Sequence, residues 1–369
     1  MNLNGGPVRR TVRGSAPVLA VVLAVLLVAG CTSAATGQPA GGHGTKLCEV
    51  FTGPPDAGLN HAVQAAAGVA RDRLGTTSVA RAGVAPSFGP FLDGRCGLIL
   101  AAGYDEAPSV FAVADRYPHQ RFLLADDWFN FGSAADLTRP NVSVLAFEAD
   151  QAAFLAGYAA AAASQNHVVG EYGSTDIPTV DVALNGFLAG ARAWGEDFRK
   201  QVTILGWNGT QGPFVGNDWD RQTAFLITER LIRGGAHVIF GAAGEAALGS
   251  AASAARHPSV YLVGMYNDGY TVAPQYAGRW LTSVVFDMTA PVLAAASSAA
   301  SAGRAGGLYV GTIANGGVRL APFHRLAHLV PAAVAVRLRT LRAGLTQGWI
   351  STNPAAYTPL EKETGNGNG

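Results

Sequence analysis

Short apolar stretches typical of β-strands alternate with helical stretches along most of this chain, and this alternation restricts the possible folds more than any other feature. A first series of strands is predicted at Leu47–Thr52, Thr77–Arg81, Cys96–Ala102, Arg121–Ala125 and Val142–Phe147. A second series is predicted at His167–Tyr172, Gln201–Trp207, His237–Gly241, Val260–Met265 and Arg279–Phe286. Strands that alternate with helices form parallel α/β sheets. Because the two series together exceed the usual size of one sheet, we expect two α/β lobes.

The loops that follow the strands are the expected ligand-binding regions, because open parallel sheets bind ligands beyond the carboxyl ends of their strands. Helices are predicted between the strands at Ala57–Leu74, Ser109–Tyr117, Gln151–Ala163, Val180–Trp194 and Asp220–Arg233. The loops rich in Asp, Asn and aromatic residues are 52–60, 103–106, 126–130, 207–210, 242–245 and 266–269. Two such sets of loops, facing each other across a cleft, suit the capture of a polar, planar molecule.

Individual residues in these loops also have a purely structural interpretation. Asp56 is placed to cap the first helix, and Asn60 and Asp126 could cap helices or turns in the same way. Each of three tryptophans could line the cleft or fill the core, namely Trp128, Trp207 and Trp219. The sequence leaves these alternatives open.

The N-terminal segment has the pattern of a bacterial lipoprotein signal peptide. Three arginines within residues 9–13 precede an apolar run, Ala16–Ala29, that leads into Cys31. A basic region, an apolar region of about 14 residues and small residues before the cut are typical of export signals. We predict that residues 1–30 are removed and that acylated Cys31 anchors the chain to the lipid bilayer, outside the cytoplasm. An uncleaved anchor is the alternative, but the run is shorter than the roughly 20 residues that span a bilayer.

Length and charge limit the classes of protein that the remaining chain can belong to. About 340 residues remain, enough for two domains of ordinary size. The net charge of +1 argues against a nucleic-acid-binding protein, which should carry a basic stripe or patch. Residues 31–46 are rich in Gly, Ser, Thr and Pro and are predicted to form a flexible tether. The polar residues 356–369 are predicted to be a disordered tail.

The cysteines are consistent with export. With Cys31 assigned to the lipid, Cys48 and Cys96 are the remaining pair in the sequence. Each lies at the start of a predicted strand, and the starts of neighbouring parallel strands lie at the same edge of a sheet. An oxidising compartment favours a disulfide between them. The chain-entropy model credits a loop of about 50 residues with roughly 4 kcal/mol of stabilisation.

Sequence motifs for catalysis, phosphate binding and metal binding are not found. The Gly-rich stretch 241–249 lacks both the G-x-G-x-x-G and the G-K-[ST] patterns, and its glycines rather suit a close approach of backbone to a ligand at a helix N-terminus. His324 and His328 lie four residues apart on a predicted helix but lack the Glu of a zincin motif. No G-x-S-x-G pattern is present. We therefore predict a protein that is not an enzyme and that has no metal or cofactor.

Eight segments spread over nearly the whole mature chain carry a resemblance to a known family. They are Gly103–Tyr104, Val113–Pro118, Arg121–Asp126, Phe147–Ala160, Asn185–Ala191, Gly235–Phe240, Leu281–Val285 and Gly316–Val318. In their order and spacing they resemble the basic membrane lipoprotein family, the substrate-binding proteins of ABC importers typified by bacterial purine-nucleoside receptors.

The resemblance implies an α/β fold of the type I periplasmic-binding-protein kind, with two flavodoxin-like Rossmannoid lobes joined by three hinge crossings. The crossings are expected near Val144–Asp150, Trp280–Asp287 and Leu308–Ala314. The expected lobe boundaries are 47–147 with about 284–306 for the first lobe, and 148–283 with about 307–355 for the second. The resemblance also implies a small nucleoside-like ligand held between the lobes and an ABC permease in the membrane as partner, without covalent chemistry.

Departures from the family pattern concentrate at the expected ligand site. The first loop keeps Asp56 and Asn60, but Leu59 replaces the aromatic residue that stacks on the base. The positions of the ribose-binding Asp and Lys hold Tyr266 and Phe286. Removing both charges together leaves no unpaired buried ion. The pattern therefore favours a cleft for a less polar or differently substituted ligand, with packing at the hinge as the alternative role of the two aromatics.

The expected ligand-binding set combines the retained polar residues with aromatics that can replace the missing stacking partner. It comprises Asp56, Asn60, Tyr104, Asp126, Trp128, Phe214, Trp219, Gly244, Tyr266, Asp268 and Phe286, and Phe51 is a further candidate for stacking. The function that this pattern favours is a membrane-anchored solute receptor of an ABC importer. The alternative is a lipoprotein of the same fold that acts as a sensor or an assembly partner without transport.

Overall fold

The computed structural model describes residues 45–83, 88–125, 139–300 and 306–352. The predicted signal peptide 1–30, Cys31, nearly all of the predicted tether and the tail 356–369 lie outside the described residues, as do Asp126 and Trp128. In the part of the chain that is described, no helix is both long and apolar enough to cross a membrane.

The strands form two six-stranded sheets. In chain order they are β1 (Lys46–Thr52), β2 (Thr77–Gly83), β3 (Leu98–Ala102), β4 (Phe122–Ala125), β5 (Val142–Phe147), β6 (Val168–Gly173), β7 (Thr203–Gly206), β8 (Val238–Ala242), β9 (Tyr261–Tyr266), β10 (Trp280–Phe286), β11 (Gly307–Gly311) and β12 (Val318–Leu320). The first sheet has the order β11-β5-β4-β3-β1-β2 and the second β12-β10-β9-β8-β6-β7. The described strands pair in parallel except β12, which is antiparallel to β10.

Helices cover both faces of each sheet. They are α1 (Gly58–Leu74), α2 (Ala107–Arg116), α3 (Ala149–Ala163), α4 (Pro178–Phe198), α5 (Arg221–Arg233), α6 (Ala247–Ala254), α7 (Gly269–Val272), α8 (Thr289–Ala300) and α9 (Ala332–Gln347). In the first lobe α1 and α8 pack on one face of the sheet and α2 on the other. In the second lobe α3 and α4 share one face, and α5 and α6 cover the other. This arrangement buries the apolar strands on both sides, as parallel sheets require.

The predicted alternation of strands and helices is confirmed. All ten predicted strands are present with ends within two residues of the prediction, and the five predicted helices are present, with α4 continuing to Phe198. Strands β11 and β12 were not predicted. Because Gly307–Gly311 pairs with β5 in the first sheet, it does not belong with the second lobe, where the sequence analysis placed residues from 307 onward. Residues 284–286 likewise lie in the second sheet, within β10.

The chain crosses between the sheets at three places, from β5 to α3, from β10 to α8 and from β11 to β12. The crossing segments lie side by side and are hydrogen-bonded to each other. The Glu148 backbone N–H donates to the Gly311 carbonyl over 2.9 Å, and the Asp287 N–H donates to the Gly317 carbonyl over 2.8 Å. The predicted fold class, with two α/β lobes and three crossings, is confirmed.

Small residues explain the close packing of α3 against α4. A Cβ atom added at Gly157 would lie 2.0 Å from the Phe187 carbonyl oxygen, and one added at Gly190 would lie 1.8 Å from the Phe154 carbonyl oxygen. Larger side chains at these positions would push the helices apart. The Ala- and Gly-rich segments of these two helices therefore have a packing role within the second lobe.

A disulfide joins Cys48 to Cys96, as predicted. Strands β1 and β3 are neighbours in the first sheet, with Leu47 paired to Leu98. Cys96 lies just before β3, so both sulfur atoms reach the same edge of the sheet, and the Cα atoms are 6.0 Å apart. Both cysteines are buried, together with the apolar residues under α2.

A carboxyl group, that of Glu49, is buried within β1 with only 1% of its surface exposed. Burial raises its pKa from 4.5 to about 7, and a hydrogen bond from Ser78 and the charge of Arg71 only partly oppose this shift. The unfolded chain ionises Glu49 near pH 4.5, whereas the folded chain holds its proton up to about pH 7. Between these values the folded state binds more protons, so the contribution of Glu49 to stability falls as the pH rises.

The substitution Glu49→Gln removes this titration. We expect the free energy of unfolding to fall less steeply between pH 4.5 and 7 in the variant than in the wild-type protein, with a difference of up to about 3 kcal/mol accumulated across the interval. Urea denaturation at several pH values measures it. Glu196→Gln, at an exposed position, should leave the slope unchanged. Identical slopes for wild type and Glu49→Gln would show that Glu49 is not the titrating group.

Candidate ligand-binding site

A cavity of about 50 Å³ lies between the two lobes, at the carboxyl ends of their strands. The first lobe contributes the loop after β1 and the turn after β3, and the second lobe contributes the loops after β6, before α5 and after β8. The lining residues are Thr52, Pro54, Ala57, Leu59, Asn60, Ala102, Gly103, Tyr104, Glu106, Thr175, Ile177, Asp218, Trp219 and Glu245. This is the position at which open parallel sheets bind ligands.

The N-terminus of α1 is in direct contact with the second lobe. The Asn267 side-chain N–H donates to the Gly58 carbonyl over 2.6 Å, and the Asn267 Oδ1 atom lies 3.2 Å from the Nδ1 atom of His61. Gly58 has a φ of +68°, and a Cβ atom there would lie 2.8 Å from the Cα atom of Gly244. Glycine at this position therefore allows the two lobes to approach each other closely.

Carboxyl groups from both lobes line the cavity. Glu106 accepts a hydrogen bond from the Thr52 hydroxyl. Glu245 is only 5% exposed, and its Oε1 atom accepts from the Arg221 guanidinium over 2.5 Å, whereas its Oε2 atom has no hydrogen-bond partner. Burial raises the pKa of Glu245, and the charge of Arg221 opposes that shift only in part. Asp218 also lines the cavity.

Arg221 connects the lobes at the rim of the cavity. Its Nη2 atom lies 3.3 Å from Asp56 Oδ2 in the first lobe and 2.5 Å from Glu245 Oε1 in the second. Of the alternatives left open for Asp56, capping of α1 is not found, because the N-cap residue is Ala57 and no side chain caps that helix. The Asp56 carboxylate instead pairs with Arg221 across the cleft.

Asn60, Tyr104 and Trp219 are the predicted ligand-binding residues that the structure brings to the lining of the cavity. The Asn60 amide donates to the carbonyls of Thr52 and Pro54, so it also holds the first loop in place. Trp219 is 36% exposed, and a Cβ atom added at Gly53 would lie 2.6 Å from its ring. Tyr104 and Trp219 bring aromatic rings to the cavity from opposite lobes.

Tyr266 and Phe286 lie in an aromatic cluster near the crossings and are not among the residues lining the cavity. Phe286 stacks on Phe147 with ring centroids 4.6 Å apart, and Tyr266 meets Phe286 edge-on at 5.0 Å. The Tyr309 ring meets the Phe147 ring edge-on, with ring centroids 6.2 Å apart. Tyr266 adopts a φ of +71°, which is unusual for an aromatic residue. This packing corresponds to the alternative that the sequence left open for the two aromatics.

Two further predicted residues of the second lobe, Gly244 and Phe214, are not among the residues that line the cavity. Gly244 precedes Glu245, and a Cβ atom added to it would lie 3.3 Å from Asp218 Oδ1. Phe214 packs edge-on against Trp207, whose buried indole N–H donates to Asn185.

Asp268 has a structural role in the described contacts. Its side chain accepts from the Tyr270 backbone N–H and lies 2.7 Å from the Nε2 atom of His324. His324 also stacks on the Tyr270 ring, with ring centroids 4.0 Å apart. Phe51 is buried in the core of the first lobe.

Three carboxyl groups of the cavity and Arg221 are not among the residues predicted from the sequence. Glu106 and Glu245 lie in two of the predicted ligand-binding loops, 103–106 and 242–245, but these side chains were not predicted to bind. The direction of each side chain depends on a short 3₁₀ turn after the strand, Tyr104–Glu106 and Gly244–Ala246. No pattern of residue types in the sequence shows this geometry.

The fold and the cleft define a two-lobe binding protein. The family model for PnrA-like substrate-binding proteins of ABC transporters, Bmp, matches residues 77–328. The chain belongs to this family, which confirms the resemblance drawn from the sequence.

Curated relatives share a modest level of identity. A lipoprotein of Pyrococcus furiosus, named as uncharacterised, is 27% identical over 239 residues, which is 61% of this chain and 56% of the relative. A second such lipoprotein, from Pyrococcus abyssi, is 26% identical over 234 residues, 60% of this chain and 55% of the relative. The chain therefore matches little more than half the length of these relatives.

Solved structures show the same fold at low identity. A solute-binding protein of an ABC transporter from Aeropyrum pernix K1 superposes with a TM-score of 0.70 and 19% identity, covering 83% of this chain and 92% of that one. A solute-binding protein from Conexibacter woesei gives a TM-score of 0.64 at 19% identity, covering 83% and 98%. A transcriptional activator of the comK gene from Bacillus halodurans gives 0.63 at 18% identity, covering 82% and 98%.

The Arg221 contacts generate a prediction about how the lobes hold together. The substitution Arg221→Met removes the pair with Asp56 across the cleft and leaves the buried Glu245 without its cation. We expect the free energy of unfolding to fall by about 1–2 kcal/mol and the radius of gyration in small-angle X-ray scattering to rise. Arg233→Met, at an exposed position in the last turn of the same helix, should change neither quantity. An unaltered radius in Arg221→Met would show that this residue does not hold the lobes together.

Proposed function

We propose that this protein is a membrane-anchored, extracytoplasmic receptor that delivers a nucleoside-like small molecule to an ABC importer. The observation that supports it most directly is the cavity between the lobes, lined from both sides at the carboxyl ends of the strands, in a chain of the PnrA-like family. Among the described residues, no group of His, Cys, Asp or Glu side chains is placed to hold a metal ion. The proposed recognition uses hydrogen bonds and aromatic contacts.

In this proposal the ligand is shared between the lobes. Asn60 and Tyr104 receive it from the first lobe and Trp219 from the second, with Asp56 at the rim and Gly244 next to Glu245, and Phe214 stays a predicted contact. The proposal also includes Asp126, which matches the family pattern, and Trp128, as a candidate to replace the missing stacking residue. A ligand that contacts both lobes binds the closed arrangement better than an open one, and this difference in affinity drives closure.

The size of the cavity bears on how a ligand is admitted. Small-molecule sites enclose roughly 300–1,000 Å³, whereas the cavity here measures about 50 Å³. A nucleoside therefore needs the lobes to separate. Such a motion is easiest at the three crossing segments, where the chain passes from one sheet to the other.

Anchoring and location follow from the N-terminal sequence. Acylated Cys31 would hold the chain on the membrane next to a permease, and the disulfide between Cys48 and Cys96 suits an oxidising compartment. The Pyrococcus relatives are named lipoproteins, in agreement with this placement.

A second function, a sensor or assembly lipoprotein without transport, is favoured by the aromatic cluster. Tyr266 and Phe286 fill their positions with packed rings, where the family pattern has an Asp and a Lys for the ribose. Charge-assisted hydrogen bonds contribute roughly 1.5–3 kcal/mol each, so the loss of both weakens ribose recognition. The similar fold of a transcriptional activator agrees with the view that fold alone does not define transport.

Ligand binding can be tested by thermal unfolding of the purified protein with purine and pyrimidine nucleosides, free bases and sugars. A ligand at 100 times its Kd should stabilise the fold by roughly 2.7 kcal/mol. Trp219→Ala should weaken the response by about tenfold in affinity, since stacking on an aromatic side chain is worth roughly 1–3 kcal/mol. Trp349→Ala, at an exposed position on the surface, is the matched control. Silence from every compound, with folded protein, would favour the sensor function.

The lipid anchor is tested separately with Cys31→Ala. We expect the variant to leave the membrane fraction for the soluble fraction, because it lacks the residue that carries the acyl chains. Fractionation followed by mass spectrometry of the N-terminal peptide measures both the location and the modification. A variant that stays in the membrane fraction would identify another anchor.

A further inference from the structure

The lining of the cavity is acidic. Glu106 comes from the first lobe, and Asp218 and Glu245 come from the second. Among the described residues that line the cavity, none is Lys, Arg or His. Arg221 pairs with Glu245 at the rim, and the convergence of carboxyl groups from two lobes otherwise favours a positively charged ligand in the low dielectric of the surrounding protein.

One of these groups has unused hydrogen-bonding capacity. Arg221 occupies the Oε1 atom of Glu245, while the Oε2 atom has no hydrogen-bond partner although the side chain is only 5% exposed. Buried carboxylate oxygens in native proteins nearly always have a donor. A ligand that brings an N–H donor to Oε2 would satisfy it.

Aromatic rings stand beside the carboxyl groups. Tyr104 and Trp219 line the cavity together with Glu106 and Glu245. An organic cation is attracted both to the face of an aromatic ring and to a carboxylate. A neutral planar ligand would use the rings but would gain no charge–charge attraction from the carboxyl groups.

We propose that the cleft selects a small organic cation, a compound with a protonated amine or a guanidinium group, and that Glu245 receives its N–H donor. The inference rests on the proposed receptor function, in which the cleft between the lobes is a ligand site, and assigns that site a cationic ligand in place of a neutral nucleoside. It goes further by assigning the charge of the ligand and the residue that recognises that charge.

The test is isothermal titration calorimetry of the purified protein with compounds of different charge, three of them four-carbon chains that differ only in their end groups. The cationic probes are 1,4-diaminobutane and agmatine, the neutral probes are 1,4-butanediol and guanosine, and the anionic probe is succinate. We expect at least one cationic probe to bind, and succinate and 1,4-butanediol not to bind. A higher salt concentration should lower the affinity for the cationic probe, because salt screens interactions between charges.

Variants locate the interaction within the cavity. Glu245→Gln should lower the affinity for the cationic probe by about tenfold or more, because hydrogen bonds to charged groups are stronger than those between neutral groups. Glu196→Gln changes the net charge equally at an exposed position and should have no effect. Asp218→Asn provides a second substitution in the lining if Glu245→Gln does not fold.

Each result has a distinct meaning. Binding of guanosine with unchanged affinity in Glu245→Gln would overturn the inference and leave the proposed receptor function in place. Binding of a cation that is insensitive to both lining variants would also overturn it, because the site would lie elsewhere. No binding by any probe or by the nucleosides tested above would contradict the proposed receptor function itself, and the inference with it.

Discussion

Hydrogen bonds between the three crossing segments set the placement of the two sheets around the cleft. The backbone pairs from Glu148 to Gly311 and from Asp287 to Gly317, together with the donation from Ile313 N–H to the Gln151 side chain over 2.8 Å, hold the crossings next to each other. Since each crossing leaves or enters a strand at its carboxyl end, the two sheets are fixed with these ends turned toward one cleft. The loops after the strands then supply the lining of the cavity from both lobes.

The aromatic cluster beside these crossings makes this region apolar and keeps it tightly packed. Phe147, Tyr266 and Phe286 pack ring against ring, and the absence of a side chain at Gly311 makes room, since a Cβ atom there would lie 2.4 Å from the Phe147 ring. Buried aromatic contacts need no compensating charge, whereas a lone buried ion would. The polar side chains that line the cavity, among them Asn60, Glu106 and Glu245, lie outside this cluster.

The sequence predicted the ordered parts of this architecture that depend on local pattern. Strands such as Val142–Phe147 and helices such as Gly58–Leu74 follow from apolar periodicity and from their length. The disulfide followed from the positions of Cys48 and Cys96 at the starts of neighbouring strands. Strand Gly307–Gly311 was missed because it is short, bounded by glycines and only partly buried, and its pairing with β5 depends on a crossing. The cavity carboxyl groups were missed because short turns after the strands set their direction.

The closed arrangement and the charge of the cavity are linked through Glu245. Glu245 is buried in this arrangement, and its burial raises its pKa and leaves Oε2 without a donor. Arg221 reduces that cost from one side and at the same time pairs with Asp56 across the cleft. In our proposal, a ligand donor placed on Oε2 from within the cavity would reduce the remaining cost of burying this oxygen. A ligand that makes this contact and also contacts the first lobe would favour the closed arrangement over an open one.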